Sequence, residues 1–281
     1  MKILIIGSNG MLGQDLAKVF EKESPILFDR KELDITDRAK VIEKISELNP
    51  DVIINSAAYN AVDDCETNFG LAQAINAAGP GNLAAAAKRV GATLVHFSTD
   101  YVFSGENKKG YREDAGPEPI SAYGLSKFLG EEQVRKKYFK HYLIRTSRLF
   151  GKQAKSEGAK KSFVDVMLYL ADQKDSLDLV DEEFSNPTYS KDLAERVKII
   201  LEEKPAFGTY HATNSGSCTW HGFGKEIFSL ANKKIKINQV GSDKFPRPAK
   251  RPAYSSLINT KLPALRTWQE ALKDYLEILG Y

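Results

Sequence analysis

Three side chains near the middle of the chain have the types and spacing needed to protonate a carbonyl oxygen. Tyr123 and Lys127 lie four residues apart in the predicted helical segment 121–131. Positions four apart on a helix project from the same face, so the ammonium would lie beside the phenol and favour its ionised form. Thr99 follows an apolar, strand-like segment upstream. These residues predict a site in which Tyr123 donates a proton and Thr99 hydrogen-bonds the carbonyl oxygen.

The N-terminal segment predicts a binding site for the nucleotide cofactor that would supply a hydride. An apolar strand, residues 2–6, runs directly into a glycine-rich turn that opens an amphipathic helix. Glycines let such a turn close tightly and let backbone N–H groups approach a pyrophosphate. The spacing is GxxGxxG instead of GxGxxG, and taken alone it would fit an ordinary strand-to-helix turn equally well. The candidate cofactor-binding residues of this turn are Gly7, Asn9, Gly10, Met11, Leu12 and Gly13.

Together, the two motifs resemble those of the extended short-chain dehydrogenase/reductase superfamily. In that superfamily the Tyr-x-x-x-Lys pair lies on one helix, and its serine or threonine partner lies at the end of the preceding strand. Further segments are similar to the dTDP-4-dehydrorhamnose reductase family over nearly the whole chain, namely residues 55–63, 98–105, 145–147, 186–189, 208–211 and 250–252. The resemblance implies NAD(P)H-dependent reduction of the 4-keto group of dTDP-4-dehydro-6-deoxy-L-mannose to give dTDP-L-rhamnose.

The pattern of apolar segments predicts an α/β fold with a Rossmann-type, doubly wound parallel sheet. Short apolar strands alternate with helical segments through the first half, which is typical of a parallel sheet covered on both faces. The predicted strands are residues 2–6, 26–28, 51–55, 93–98 and 141–146, and the predicted helices are residues 11–22, 37–48, 68–89 and 121–137.

The second half predicts a smaller α/β substrate domain. Helices are expected from 163 to about 172 and over 189–203, with a strand at 207–212, and the resemblance implies that the last two return to the main sheet. The polar segment 152–161 is expected to be a mobile loop. The expected units are an NAD(P)-binding domain of residues 1–147 plus 188–213 and a substrate-binding domain of residues 148–187 plus 214–281.

The resemblance also assigns roles around the cofactor. Lys127 would lower the pKa of Tyr123 from its usual ~10 and hydrogen-bond the nicotinamide ribose. Independently of the resemblance, Asp29 follows the second predicted strand, where it would accept from the adenosine ribose and favour NADH, whereas Arg30 would bind a 2′-phosphate and favour NADPH, so the preference is left open. Solvated charges at these two positions are the alternative. The other candidate cofactor contacts are Asp34, Ile35, Ala57, Ala58 and Tyr59, although the alanines could equally serve plain packing.

The candidate substrate-binding residues are Val62, Thr99, Asp100, Tyr101, Tyr123, Arg148 and Arg251. Arg148 stands where the family usually has a tryptophan, and it would either bind a phosphate or carboxylate or point to solvent. Asn60 stands where threonine is common, so the exact sugar is left open. Lys250 and Arg251 would bind the nucleotide diphosphate, since paired cations suit phosphate oxygens. A solvated loop is the alternative for this pair.

Composition argues against several other classes of protein. The net charge is only +3 and the 40 Lys and Arg residues are scattered, so no nucleic-acid partner is expected. Cys65 and Cys218 have no metal-ligand spacing around them. No segment approaches the ~20 apolar residues of a membrane span. We expect a cytoplasmic protein, with a homodimer as one assembly; some family members use Mg²⁺ at a subunit contact, but no carboxylate cluster in the sequence indicates such a site.

Two other functions fit the same motifs. Arg148 keeps open a 4-ketoreductase of another nucleotide-activated deoxysugar. Relatives of this fold also include a non-catalytic, NADP-binding regulatory subunit of methionine adenosyltransferase. The intact set of Thr99, Tyr123 and Lys127 argues against a purely binding role.

Overall fold

The computed structural model describes residues 1–155 and 161–281. In the first half the strands are β1 (Ile3–Ile6), β2 (Ile26–Phe28), β3 (Val52–Asn55), β4 (Thr93–Thr99) and β5 (His141–Thr146), and the helices are α1 (Met11–Val19), α2 (Arg38–Leu48), α3 (Phe69–Gln73), α4 (Gly79–Val90) and α5 (Ala122–Lys137). In the second half the strands are β6 (Leu149–Phe150), β7 (Ser176–Val180), β8 (Thr188–Tyr189), β9 (Gly208–His211) and β10 (Lys236–Val240), and the helices are α6 (Phe163–Ala171), α7 (Ser190–Glu203), α8 (Trp220–Leu230) and α9 (Trp268–Leu279). Of the loop predicted at 152–161, residues 156–160 lie outside the described residues.

Six strands form one parallel sheet in the order β2-β1-β3-β4-β5-β9, which confirms the predicted doubly wound fold. One face packs on α1 and α7, and the other packs on α2, α4 and α5, so the central strands are buried on both sides. The strand predicted at 207–212 does return to this sheet, as β9 beside β5. The strand order reverses at β1 and β3, and open sheets of this kind bind nucleotides in the crevice at such a point.

The continuous helix predicted over 68–89 is interrupted. Residues Ala74–Ala78 form a π-helical turn between α3 and α4. Pro80 has no N–H to donate to the preceding turn, and this favours the irregular backbone hydrogen-bond pattern of the π-helical turn. The turn directs the Asn76 amide out of the helix, where it bonds the backbone N–H and carbonyl of Tyr59 and a hydroxyl on α5. The irregular turn therefore fixes the loop after β3, which carries predicted cofactor contacts.

A second apolar core lies beyond the carboxyl edge of the main sheet. It contains two small parallel sheets, β7 with β10 and β6 with β8. Its centre joins α6, α8 and α9 through aromatic side chains such as Phe150, Phe223 and Tyr275. The sequence predicted a smaller α/β unit in this region but not these individual strands, since each is too short to show a clear period.

The C-terminal segment 245–258 runs back along the carboxyl edge of the main sheet. Its Leu257 forms a β-bridge with Tyr111, in the long loop after β4. The Ser255 hydroxyl donates to Asp100, at the end of β4. Residues more than a hundred positions apart in the chain therefore line the same edge.

Candidate active site

The predicted catalytic side chains meet at the carboxyl edge of the sheet. Thr99 is the last residue of β4, while Tyr123 and Lys127 lie in the first two turns of α5, and all three are buried. α5 begins at this point because the Ser121 hydroxyl accepts a hydrogen bond from the backbone N–H of Gly124 at 3.1 Å. The N-cap therefore sets where the phenol enters the site.

The turn after β4 holds Thr99 close to α5. The Thr99 hydroxyl accepts from the backbone N–H of Tyr101 at 3.2 Å and donates to Asp100 Oδ1 at 3.1 Å. A Cβ on Gly124 would lie 2.2 Å from the carbonyl oxygen of Tyr101, so only glycine allows α5 to approach this turn. The rings of Tyr101 and Tyr123 then meet edge to face, with centroids 5.7 Å apart.

Lys127 is fixed by the backbone of β4. Its Nζ donates to the carbonyl oxygen of Phe97 at 2.7 Å. Burial lowers the pKa of Lys127 to about 8, and the Glu131 carboxylate opposes that shift. The side chain is thus an anchored cation whose charge is sensitive to its neighbours.

The expectation that Lys127 lowers the pKa of Tyr123 is wrong in this structure. Burial raises the pKa of Tyr123 above its usual value; a hydrogen bond with Thr99 lowers it in part, and the Asp100 charge raises it further. The physical reason is that the phenol lies away from water, while the Lys127 ammonium is bound to Phe97. Tyr123 is therefore protonated at neutral pH, which is the state that a proton donor needs.

Two polar contacts of the site were not anticipated. The Tyr123 hydroxyl donates to Asn60 Oδ1 at 3.3 Å, and Asn60 lies in the loop after β3. Ser255 donates to Asp100, whose pKa is raised by burial while Ser255 and the charge of Arg148 oppose the shift. The sequence did mark Asn60, because the family usually has threonine at this position. Ser255 lies in a C-terminal loop, where no local sequence pattern indicates a role.

Three of the predicted sugar-binding residues lie around the phenol. Val62 and Tyr101 pack with Tyr123 and the buried Cys65 in one small apolar cluster. Asp100 lies beside them at the end of β4 and is 3% exposed. The structure therefore brings this set together with the catalytic side chains.

Arg148 is directed into the protein, so the alternative that it points to solvent is wrong. Its guanidinium carbon lies 3.9 Å from the centroid of the Trp220 ring on α8. Nη1 donates to the carbonyl oxygen of Cys218 at 2.8 Å, and Nη2 donates to that of Glu183 at 2.5 Å. Arg148 is thus buried among these partners. The aromatic ring near this part of the sheet edge is that of Trp220 on α8, and not a side chain at position 148.

Arg251 binds a carboxylate of the protein. Its Nη1 and Nη2 contact Asp63 Oδ1 and Oδ2 at 2.5 and 2.7 Å, and these bonds lower the pKa of Asp63 to about 2. Lys250 is exposed. Arg251 is therefore paired with Asp63 in this structure, while Lys250 is open to solvent.

The glycine turn after β1 forms a cradle that fits a pyrophosphate. Gly7 has a φ of +79°, and a Cβ there would lie 2.7 Å from the backbone nitrogen of Ala57. A Cβ on Gly13 would lie 2.1 Å from the Gly7 carbonyl oxygen. α1 begins directly after Gly10 with no acidic residue in its first turn, so its N–H groups and dipole favour an anion.

The side chains of this turn divide between core and cradle. Leu12 is 6% exposed and packs in the apolar core, so any contact with a cofactor comes from its backbone N–H. Met11 is half-buried at the helix start. Asn9 turns the other way, and its Nδ2 donates to Asp29 Oδ2 at 2.6 Å.

The end of β2 carries both residues that were predicted to bear on cofactor preference. Asp29 Oδ1 accepts from the backbone N–H of Lys31 at 2.7 Å, and its Oδ2 is held by Asn9. The exposed Arg30 has its Nε 3.4 Å from Asp34 Oδ2. A fixed carboxylate and an exposed guanidinium thus lie side by side where the adenosine ribose would bind.

The remaining predicted cofactor contacts lie around the same crevice. The Asp34 carboxylate bonds the backbone and hydroxyl of its own turn, and Ile35 is buried against α4. Ala57 and Ala58 are half-buried in the loop after β3, with Ala57 facing the glycine turn. Tyr59 is held through its backbone by the π-helical turn.

A cavity of about 580 Å³ lies between α6, β7 and α8. Its lining includes Phe163, Leu177, Leu179, Trp220, Phe245 and Arg247. Trp220 Nε1 donates to Glu183 Oε2 at 2.9 Å, and Arg247 pairs with the same carboxylate. Apolar and aromatic walls with a few placed polar groups are typical of a small-molecule site.

Neither a cluster of metal-ligating side chains nor a membrane-spanning helix occurs among the described residues. Among residues 1–155 and 161–281, no three His, Cys, Asp or Glu side chains are grouped so as to hold a metal ion. In that same part of the chain, no helix has the length and apolar character to cross a bilayer.

A family model described as the RmlD substrate binding domain matches residues 1–280. The chain belongs to this family. This RmlD-family chain is 36% identical to the dTDP-4-dehydrorhamnose reductase of Streptomyces griseus, over 96% of the chain and 91% of the relative. The family resemblance inferred from the motifs is therefore confirmed.

Solved structures agree with this RmlD-family fold. A crystal structure of a dTDP-4-dehydrorhamnose reductase from Clostridium acetobutylicum matches with a TM-score of 0.94 and 41% identity, covering 100% of both chains. A dTDP-4-dehydrorhamnose reductase from Bacillus anthracis, solved in complex with NADP, matches with a TM-score of 0.94 and 37% identity, covering 99% of this chain and 100% of that one.

Proposed function

We propose that this chain catalyses the NAD(P)H-dependent reduction of the 4-keto group of dTDP-4-dehydro-6-deoxy-L-mannose, which gives dTDP-L-rhamnose. The observation that carries the proposal is a buried pair of hydroxyls, Thr99 and Tyr123, at the same sheet edge as a glycine cradle for a dinucleotide. Membership of the RmlD family over residues 1–280 supports it, because the match includes both parts of the site.

Each side chain of the site has a separate role in the proposed reduction. A bound nicotinamide would supply the hydride to the carbonyl carbon. Tyr123, protonated because burial raises its pKa, donates its proton to the carbonyl oxygen. Thr99 hydrogen-bonds the same oxygen as negative charge develops on it. The Lys127 ammonium, held by the Phe97 carbonyl, would donate to the nicotinamide ribose.

The substrate's two ends have separate places in this proposal. The sugar lies against Val62 and Tyr101, beside the phenol. The nucleotide enters the cavity of about 580 Å³, where Trp220 supplies a ring face for a base and Arg247 a cation for phosphate. Trp220 also stacks on Arg148, so it connects the cavity to the catalytic edge.

The same proposal keeps the two-part division of the chain. Residues 1–147 plus 188–213 would bind NADPH or NADH, and residues 148–187 plus 214–281 would bind most of the substrate. Two separate apolar cores, one on the main sheet and one around α6, α8 and α9, support this division.

The test is NADPH and NADH oxidation by the purified protein, with dTDP-4-dehydrorhamnose generated in place. We expect turnover by the wild type and a loss of at least about a hundredfold in Tyr123→Phe, since general acid catalysis contributes about 10²–10⁴. Cofactor binding by the variant should be nearly unchanged, because only one hydroxyl is removed.

Tyr142→Phe is the matched control, since its hydroxyl donates to the Pro205 carbonyl far from the site. Retained turnover in Tyr123→Phe would contradict the assignment of Tyr123 as the proton donor. No turnover by the wild type, despite cofactor binding, would indicate another keto sugar or a non-catalytic role.

A further inference from the structure

Tyr123, Lys127 and Glu131 recur every four residues along α5, so they form one row on the face turned towards the sheet. All three are buried, and Glu131 is 0% exposed. The first two belong to the proposed reduction, whereas Glu131 has no part in it so far. Burying a carboxylate costs free energy unless it is paired, so its place in this row needs a reason.

Two arginines hold Glu131 in its ionised form. Arg145 on β5 donates from Nε to Oε1 at 2.9 Å and from Nη2 to Oε2 at 2.8 Å. Arg135, one turn further along α5, donates from Nη2 to Oε2 at 2.7 Å. Burial raises the pKa of Glu131, but the hydrogen bonds and charges of the arginines outweigh burial and lower it. A negative charge is therefore fixed one helical turn beyond Lys127.

The other groups around Lys127 do not supply a counter-charge. From β4, the Phe97 carbonyl accepts its proton, and His96 is neutral because burial lowers its pKa well below the usual value. His141 on β5 borders His96, and its pKa is lowered by burial too. From β5, Arg145 is cationic and bound to the Glu131 carboxylate. Among the described residues, the charge that favours the Lys127 ammonium is that of Glu131.

We propose that Glu131 is a positioning residue for the reduction, which acts through Lys127 by keeping this side chain charged in the site. The inference rests on the proposed function for the role of Lys127. An ammonium at this position donates charge-assisted hydrogen bonds to the cofactor ribose, whereas a neutral amine donates weaker ones. The competing explanation is that the ion pair with Arg145 only fastens α5 to β5.

The test compares wild type with Glu131→Gln over a range of pH. Two quantities are measured: the dissociation constant of NADPH, by fluorescence titration without substrate, and kcat/KM for the keto sugar. On the alkaline side, as Lys127 loses its proton, the dissociation constant of NADPH should rise and kcat/KM should fall, with a midpoint near pH 8 in the wild type. Loss of the neighbouring negative charge should move this midpoint down by about one pH unit or more, while values near pH 6 change little.

Two further variants complete the experiment. Glu132→Gln is the matched control, because it makes the same charge change one residue away, also contacts Arg135, and is 54% exposed. Its midpoint should equal that of the wild type. Since Glu131→Gln leaves Arg145 buried without its carboxylate, Glu131→Gln combined with Arg145→Met is measured as well, and it leaves no orphaned charge.

A lowered midpoint in Glu131→Gln or in the double variant, with Glu132→Gln unmoved, supports the inference. An unchanged midpoint together with a lower melting temperature overturns it, since the pair would then be structural alone. If the wild type does not reduce the keto sugar, the proposed function fails, and the NADPH titration still decides the role of Glu131.

Discussion

At the scale of single residues, we expect Asp29 to bear most directly on cofactor choice. Its two oxygens are held by Asn9 and by the backbone of Lys31, so the carboxylate is preset at the end of β2. A fixed carboxylate suits a ribose hydroxyl and repels a 2′-phosphate. Arg30 beside it is exposed, and its guanidinium would instead attract a 2′-phosphate.

We expect Asp29→Asn to shift preference towards NADPH. The variant should weaken NADH binding by about tenfold, the effect of losing one hydrogen bond to a charged group. NADPH binding should be unchanged or tighter, because repulsion of the 2′-phosphate is removed. Dissociation constants for both cofactors measure this ratio. Glu43→Gln, an exposed carboxylate on α2, is the control, and an equal change for the two cofactors would contradict the assignment.

At the scale of secondary structure, the close contact between α1 and the end of β1 depends on the absence of a side chain at Gly13. The Gly7 carbonyl oxygen occupies the space that a Cβ on Gly13 would take, at 2.1 Å. This contact places the start of α1 beside the loop after β3, and it thereby shapes the phosphate cradle. Helix propensity alone would favour alanine at position 13, so the glycine is explained by packing.

Gly13→Ala should therefore both destabilise the fold and weaken cofactor binding. Overpacking of this kind costs about 1–3 kcal/mol, since backbone must move to admit the methyl group. Urea denaturation gives the free energy of unfolding, and fluorescence titration gives the NADPH affinity.

The matched control for that variant is Gly70→Ala in α3, where a Cβ meets open space. It should be neutral or stabilising by up to about 1 kcal/mol. Equal stability of the two variants would show that the backbone contact at Gly13 is unimportant.

At the scale of the whole molecule, Asp63 and Arg251 join the loop after β3 to the C-terminal segment. The pair is bidentate, and Asp63 also accepts from the backbone N–H of Ala249. Arg251 is 10% exposed and Asp63 is 41% exposed, so solvent screens part of the interaction. The pair spans 188 positions of sequence.

A double-mutant cycle of Asp63→Asn and Arg251→Gln should give a coupling of about 1 kcal/mol at pH 7. The folded pKa of Asp63, about 2, lies below its usual 3.8, so this stability is present above about pH 4 and is lost as pH falls towards 2. Urea denaturation from pH 7 to pH 3 measures it. The exposed pair Lys18 and Glu21 is the control, with coupling near zero. A coupling at Asp63 that does not shrink with falling pH would contradict this account.

Local sequence patterns determined the elements of the main sheet and which candidate catalytic residues lie at its edge. Apolar segments alternate with amphipathic ones from residue 2 to 146, and the observed strands and helices follow them closely. Tyr123 and Lys127 share a helix face by their spacing alone, and the row they begin extends to Glu131. These features depend on residues near one another in the chain, so sequence reveals them.

Tertiary structure decided what depends on contacts between distant segments. Arg148 meets Trp220, and Arg251 meets Asp63, although nothing local in either segment encodes its partner. The pKa of Tyr123 is raised because the surrounding elements exclude water from it, which no spacing reports. Sequence periodicity reports which face of an element is apolar, but only the packed chain brings charges together and sets their solvent exposure.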